Sequence, residues 1–225
     1  MNIYGDTGNT LTLTHRLSRY GYEPILHSYN PGDAFPDEID IIVGGGGQDS
    51  GQDKIQDDLR KIGTRLHDLA REDTPMLMIC GLYQLFGHFF ETREGLRIEG
   101  IGLLDVKTYG LNERLIGNII TTSEDFGDIV GYENHSGQTF LGSDATPLAA
   151  VRLGAGNNSK DGNEGARYRN VIGSYLHGSL LPKNPAIADF LIKQAVEKKY
   201  GSFSDTVLDD SLIDKARAVA MKRPR

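Results

Sequence analysis

Cysteine is almost missing from this chain: Cys80 is the single one among 225 residues. That excludes an intrachain disulfide and a multi-cysteine metal site, so whatever Cys80 does, it does as a thiol. Long apolar runs are missing as well. With hydrophobic residues at 38% and charged ones at 24%, and no stretch of about 18 apolar residues, the composition is that of a soluble globular protein without a membrane span. The opening, MNIYGDTGNT, has no basic segment followed by an apolar one, so no signal peptide is expected and the setting is expected to be cytoplasmic. Positive charge is scarce: the formal net charge is -7, which argues against general affinity for nucleic acid or anionic membrane, because counterion release needs clustered Lys and Arg. Only the tail from Lys215 to Arg225 is basic, and it reads as a solvated or helical end.

What is present is enough for one sizeable core. The length fits a single domain over 1–225 with a C-terminal helical tail from about 205. Asp6 or Thr7 is placed to cap a helix running from Asn9 to Tyr20, with Leu11, Leu13 and Leu17 on one face and Gly21 as its stop. Pro24 to Tyr29 reads as a short strand and Ile39 to Val43 as a buried one. Ile55, Leu59, Ile62, Leu66 and Leu69 recur at helical spacing over 53–71. Met76 to Ile79 is a second buried strand, running into Cys80 and a helix containing Leu82, Leu85 and Phe86. This alternation predicts an α/β fold in three layers, a mainly parallel central sheet flanked by helices.

From about residue 97 the texture changes to strand-like segments separated by glycine: Gly102 to Val106, Leu115 to Ile120 and Ile129 to Glu133. These predict antiparallel additions to the sheet. Gly154 to Asn163 reads as a polar loop, Val171 to Tyr175 as a strand and 185–200 as a helix.

Cys80 falls where a buried strand meets a helix, followed by Gly81. A sharp turn there lifts the side chain above the sheet edge, and a helix N-terminus favours the thiolate. The competing reading is a small core hydrophobe. His177, in Gly173 to Gly178, also ends a predicted strand, and in a parallel sheet both residues reach the crevice at the carboxyl ends of the strands. A histidine beside a thiol takes its proton and later returns one to a leaving amine; the alternative is a strand-end histidine with no chemistry. His135 is a rival base, placed in a predicted loop. Gly44 to Gly47 follow a buried strand, yet no G-x-G-x-x-G pattern with a later acidic residue and no following Lys-Ser or Lys-Thr is present, so neither a dinucleotide fingerprint nor a P-loop is indicated. Beside the cysteine strand, their backbone N–H groups are candidates for holding an oxyanion over Cys80.

Taken together, "IIVGGGG", "MLMICGLYQLFG" and "GSYLHG" resemble the class I glutamine amidotransferases, and more closely their cobyric acid synthase-like branch. Within it the chain is similar to the glutaminase subunits of two-protein enzymes that amidate the D-glutamate of lipid II. The segments Asn2 to Asn9, Glu99 to Asp105, Arg114 to Asn118, Gly131 to Gly137 and Tyr175 to Asn184 carry that likeness, which spans nearly the whole chain. The resemblance implies hydrolysis of L-glutamine at Cys80 through a thioester, with His177 as base and then acid. It implies an oxyanion site at the backbone N–H groups of Gly45, Gly46 and Gly81, and substrate contacts from Gln84 and Arg114, the latter through bidentate binding of a carboxylate. Without the family, Arg114 reads as a surface strand residue. No metal or cofactor is implied in this chain. ATP and metal are expected on a Mur ligase-like partner, which would bind the lipid-linked substrate at the inner face of a bacterial membrane and receive the ammonia in a heterodimer.

Two departures from the pattern stand out. Ser179 occupies the place where many class I enzymes have the glutamate that orients the histidine, which fits an acid contributed by the partner. Family members also carry a strand before the segment on which this chain opens, so either the start was assigned too late or the protein manages with a shorter sheet. Two alternative functions remain open: a cobyric acid synthase-like amidotransferase separated from its synthetase, and a non-catalytic α/β binding module in which Cys80 is core.

Overall fold

The computed structural model describes residues 6–47, 49–204 and 206–224, and for 49–54 the backbone alone. Its centre is the run Met76–Ile79, strand β2, which a three-residue strand β1 (Ile42–Gly44) joins in parallel, Gly44 opposite Met78. On the other side of β2 lies the much later strand β10 (Val171–Ser174), also parallel, with Ser174 opposite Ile79. The antiparallel β9 (Ala166–Tyr168) closes this four-stranded sheet.

The unbroken apolar character of β2 has a simple cause. Met76 and Met78 point into one core cluster, with Leu66, Leu69, Tyr83 and Phe86, while Leu77 and Ile79 point into another, with Leu13, Leu180, Leu191 and Ile192. Side chains alternate across a strand, so a strand covered on both faces needs apolar residues at every position. All four are at most 1% exposed, and each contributes about 1.5–3 kcal/mol by burial. Helices α2 (Asp49–Arg71) and α3 (Gly81–Phe86) supply the first face; α1 (Thr7–Arg19) and α4 (Pro185–Tyr200) supply the second.

The second half of the chain forms a seven-stranded, largely antiparallel sheet. Its spine is a long hairpin, β5 (Val106–Ser123) with β6 (Gly127–Leu141), whose register shifts between Gly110 and Leu115. Strands β3 (Phe89–Glu91) and β4 (Arg97–Glu99) extend one side, and β7 (Ala149–Leu153) and β8 (Asn163–Glu164) attach through β5. The two-residue β11 (Leu176–His177) pairs with β6, His177 opposite Tyr132, so the chain passes from one sheet to the other at Tyr175. A final helix α5 (Ser211–Ala220) ends the described chain, and no described helix is long and apolar enough to cross a membrane.

Three sequence expectations are corrected. Pro24 to Tyr29 is not a strand: it runs as irregular chain with Ile25 81% and Leu26 63% exposed. Gly102 to Asp105 is likewise irregular, and only Val106 begins a strand. His135 lies within β6 rather than in a loop. The expectation about a strand before the opening segment lies outside the described residues.

Candidate active site

The chain turns sharply at Cys80. Its φ of 51° and ψ of -106° are a conformation that costs a non-glycine residue about 1–3 kcal/mol, held here because the N–H of Cys80 donates to the Ser174 carbonyl while its own carbonyl accepts from Gln84 N–H. Cys80 is half-buried at the N-cap of α3. His177 ends β11 and is followed by Gly178 at φ 68° and Ser179 at φ 49°, a tight turn that leads into the loop before α4.

Gly46 shows how these pieces meet. A Cβ placed on it would lie 3.0 Å from Cε1 of His177 and 3.3 Å from both Cβ of Cys80 and Oδ2 of Asp6. Three chemically competent side chains, from α3's N-cap, β11 and the start of α1, therefore surround the glycine stretch behind β1. The N–H of Gly46 donates to Asp6 Oδ2 at 2.6 Å, so this amide is committed to a carboxylate in the resting chain. Gly45 is buried beside it, and Gly81 opens α3.

Asp6 was legible only as a helix cap. It occupies the N-cap of α1, but its side chain makes no capping hydrogen bond; besides reaching Gly46 it stands 3.5 Å from Nδ1 of His177, with the two side chains 2% and 0% exposed. A Cβ on Gly8 would sit 2.2 Å from Oγ of Ser179, so the Ser179 side chain packs against α1.

The other predicted residues line the floor and flank. Gln84 is buried and donates from Nε2 to the Tyr175 hydroxyl, which also bonds Thr139 Oγ1 at 2.6 Å. His135 stacks flat on Tyr175 at 3.7 Å, bonded through Nδ1 to the Gly137 carbonyl. Burial drives its pKa down to about 3, so it is a neutral packing group. Arg114 is exposed where the register of β5 shifts; its Nε donates to Asn134 Oδ1 at 2.7 Å and its charge reaches His135. Lys183 donates to the carbonyls of His177 and Gly178, and burial lowers its pKa. Among the described residues no group of three His, Cys, Asp or Glu side chains is arranged as metal ligands would be.

An elbow cysteine, a strand-end histidine and a glycine stretch at the carboxyl end of a parallel sheet define a protein of the class I glutamine amidotransferase type. Two solved structures share the fold: a glutamine amidotransferase with a TM-score of 0.59 over 82% of this chain and 93% of that one, at 16% identity, and a glutamine amidotransferase from Thermotoga maritima with 0.55 over 93% and 86%, at 15%. A profile of the CobB/CobQ-like glutamine amidotransferase domain matches residues 2–185, and the chain belongs to that family. It is 38% identical over 224 residues to the lipid II isoglutaminyl synthase (glutamine-hydrolyzing) subunit GatD of Staphylococcus aureus, covering 99% of this chain and 91% of that protein. The same subunit of Streptococcus pneumoniae is 40% identical over 204 residues, covering 89% and 78%. A probable cobyric acid synthase of Methanothermobacter thermautotrophicus matches 63% of this chain and only 31% of its own length, at 35% identity.

Proposed function

We propose that this chain is the glutaminase subunit of a lipid II isoglutaminyl synthase. The observation that carries the reading is the convergence of Cys80 and His177 on Gly46. Cys80 Sγ, its proton passed to His177, attacks the side-chain carboxamide carbon of L-glutamine. His177 returns the proton to the departing nitrogen, ammonia leaves, and a γ-glutamyl thioester remains. Water, activated by the same histidine, then releases glutamate and the free thiol. Gly45 and Gly81 are the candidate N–H donors to the oxyanion in this scheme, while the N–H of Gly46 is bonded to Asp6. Gln84 supports the site through Tyr175, and Arg114 is the candidate for the substrate's α-carboxylate.

The whole 225-residue chain acts as one amidotransferase domain and passes ammonia to a separate Mur ligase-like subunit. That subunit binds ATP, metal and the lipid-linked acceptor and amidates its D-glutamate, in the cytoplasm at the inner face of the membrane. The high coverage of the two GatD proteins on both sides favours this over a detached cobyric acid synthase domain.

The test is release of ammonia and glutamate from L-glutamine by wild type and Cys80→Ala, each with and without a Mur ligase-like partner. Release that depends on Cys80 supports the reading; no release from wild type with the partner present overturns it.

A further inference from the structure

Helix α5 lies against the molecule without a single buried residue. Its inward stripe is Ile213, Arg217 and Ala220, each half-buried, while Leu212 and Val219 face solvent. A helix of 10 residues is marginal by itself and ordinarily owes its place to an apolar face. Here the middle of the inward face is a guanidinium. Nη1 of Arg217 donates to the Lys183 carbonyl at 2.8 Å and to Asn184 Oδ1 at 3.2 Å, and Nη2 donates to the Asp128 carbonyl at 2.6 Å. The donors of a guanidinium point in fixed directions, so it binds these acceptors together only while they keep their spacing.

Both places that Arg217 joins adjoin His177. Lys183 ends the short 3-10 turn Leu181–Lys183, and its Nζ reaches back to the carbonyls of Gly178 at 3.0 Å and His177 at 3.3 Å. Asn184, 1% exposed, accepts from the N–H of Val130 and donates to the carbonyls of Val130 and Leu180, which fixes the end of the loop to β6. Asp128 stands at the start of that same strand, and His177 pairs with it four residues on, opposite Tyr132. Between His177 and the turn the chain passes through Gly178 at φ 68° and Ser179 at φ 49°. A serine keeps such a conformation only where its surroundings hold it.

Resting on the Cys80–His177 reading above, we propose that Arg217 is a positioning residue for the glutaminase reaction. From a helix 34 positions further along the chain, it clasps the loop that follows His177 to the start of β6, and so fixes where the imidazole stands relative to Cys80. It acts through Lys183, Asn184 and Asp128 and not on the substrate. No residue of α5 belongs to either core cluster, so a change at Arg217 reaches the loop and leaves the cores intact.

The test follows ammonia release from L-glutamine by the full chain with a Mur ligase-like partner in excess. Alongside it, the rate at which iodoacetamide alkylates Cys80 is measured without the partner. An aligned site loses on the order of a hundredfold for a displacement of about 1 Å; Asn184 and Lys183 limit the shift, so Arg217→Ala is expected to lower kcat about tenfold, to change the KM for glutamine less than about twofold, and to slow alkylation. Arg217→Lys keeps the charge, but one ammonium cannot span both carbonyls, and its kcat is expected to stay at least about threefold below wild type. Asp210→Asn is the control: it weakens the fastening of α5 to Arg16 and leaves the loop contacts in place, so it should lower the melting temperature and keep kcat. Wild-type kcat in either Arg217 variant, or the same loss in Asp210→Asn at matched stability, overturns the proposal. So does a loss that disappears as partner concentration is raised, or one without slower alkylation, since α5 would then serve the partner and not His177. A wild-type chain that releases no ammonia with the partner present removes the Cys80–His177 reading, and the proposal with it.

Discussion

Replacing Gly46 with alanine adds one methyl group at the point where the site converges, and its consequences can be worked through. The new Cβ would stand 3.0 Å from Cε1 of His177, whereas carbon atoms pack at about 3.5–4.0 Å, so the imidazole or the glycine stretch must yield by roughly half an ångström. Gly46 does not have positive φ, so the backbone itself tolerates alanine. The stability cost is then that of modest overpacking, about 1–3 kcal/mol. Catalysis is more sensitive, since a displacement of about 1 Å in an aligned site costs on the order of a hundredfold. A fall of about 10- to 100-fold in glutaminase kcat is expected, with the KM for glutamine changing much less. Gly44→Ala is the control: its Cβ would meet Leu82 Cδ1 at 2.3 Å and Met78 Sδ at 2.9 Å, both far ends of core side chains that can repack. That variant should lose thermal stability without a matching loss of kcat. Steady-state ammonia release, paired with thermal unfolding of both variants, checks the contrast. Wild-type kcat in folded Gly46→Ala, or equal kcat losses in both at matched stability, would refute the geometry.

Arg16 is 3% exposed between Asp189 and Asp210, so Arg16→Met leaves two partly buried carboxylates without their cation; a loss of about 3 kcal/mol is expected in denaturant unfolding, at the lower end for a broken buried pair because both aspartates keep contact with water. His135, neutral in the fold down to about pH 3, is protonated in the unfolded chain below about 6.5. Its contribution is therefore complete above pH 6.5 and is lost as pH falls towards 3, and His135→Phe should remove up to about 1.4 kcal/mol per pH unit of that slope in melts across the window. Glu164 behaves oppositely: burial raises its pKa to about 7 from an ordinary 4.5, so its stabilising protonated form is complete below pH 4.5 and lost as pH rises through 7. Glu164→Gln should gain melting temperature relative to wild type at pH 8 and much less at pH 4; an equal difference at both would sink this assignment.

The strand–helix alternation around Met76–Ile79 was legible because a doubly covered strand writes an uninterrupted apolar run, and Cys80 was legible because it follows one. The hairpin of β5 and β6 was read as fragments, since its glycines look like breaks. They answer to close approach instead: a Cβ on Gly131 would strike Leu176 at 2.5 Å, and one on Gly137 would meet Gln84 at 2.3 Å. Pro24 to Tyr29 carried a strand-like pattern, but a strand needs a neighbouring edge. This segment leads over α2, where Tyr29 bonds Asp58 and Phe35 packs on the core, and its Ile25 and Leu26 face water. Asp6 could not be found locally. An aspartate before a helix signals a cap, and its real partners lie at residues 46 and 177, a relation that only the folded chain brings about. Arg217, read as part of a solvated or helical end, lies in α5 and donates to the carbonyls of Lys183 and Asp128, holding the loop after His177 from outside.

The strand order has a consequence for how the chain comes off the ribosome. Strand β2 lies between β1, made shortly before it, and β10, made some ninety residues later. Until Val171–Ser174 has emerged, one side of the most apolar strand in the protein is an open edge, the kind of surface on which nascent chains pair wrongly. The same late segment delivers His177. A partly synthesised chain can therefore hold Cys80 and the glycine stretch without His177, which joins them only when the same late segment closes the sheet.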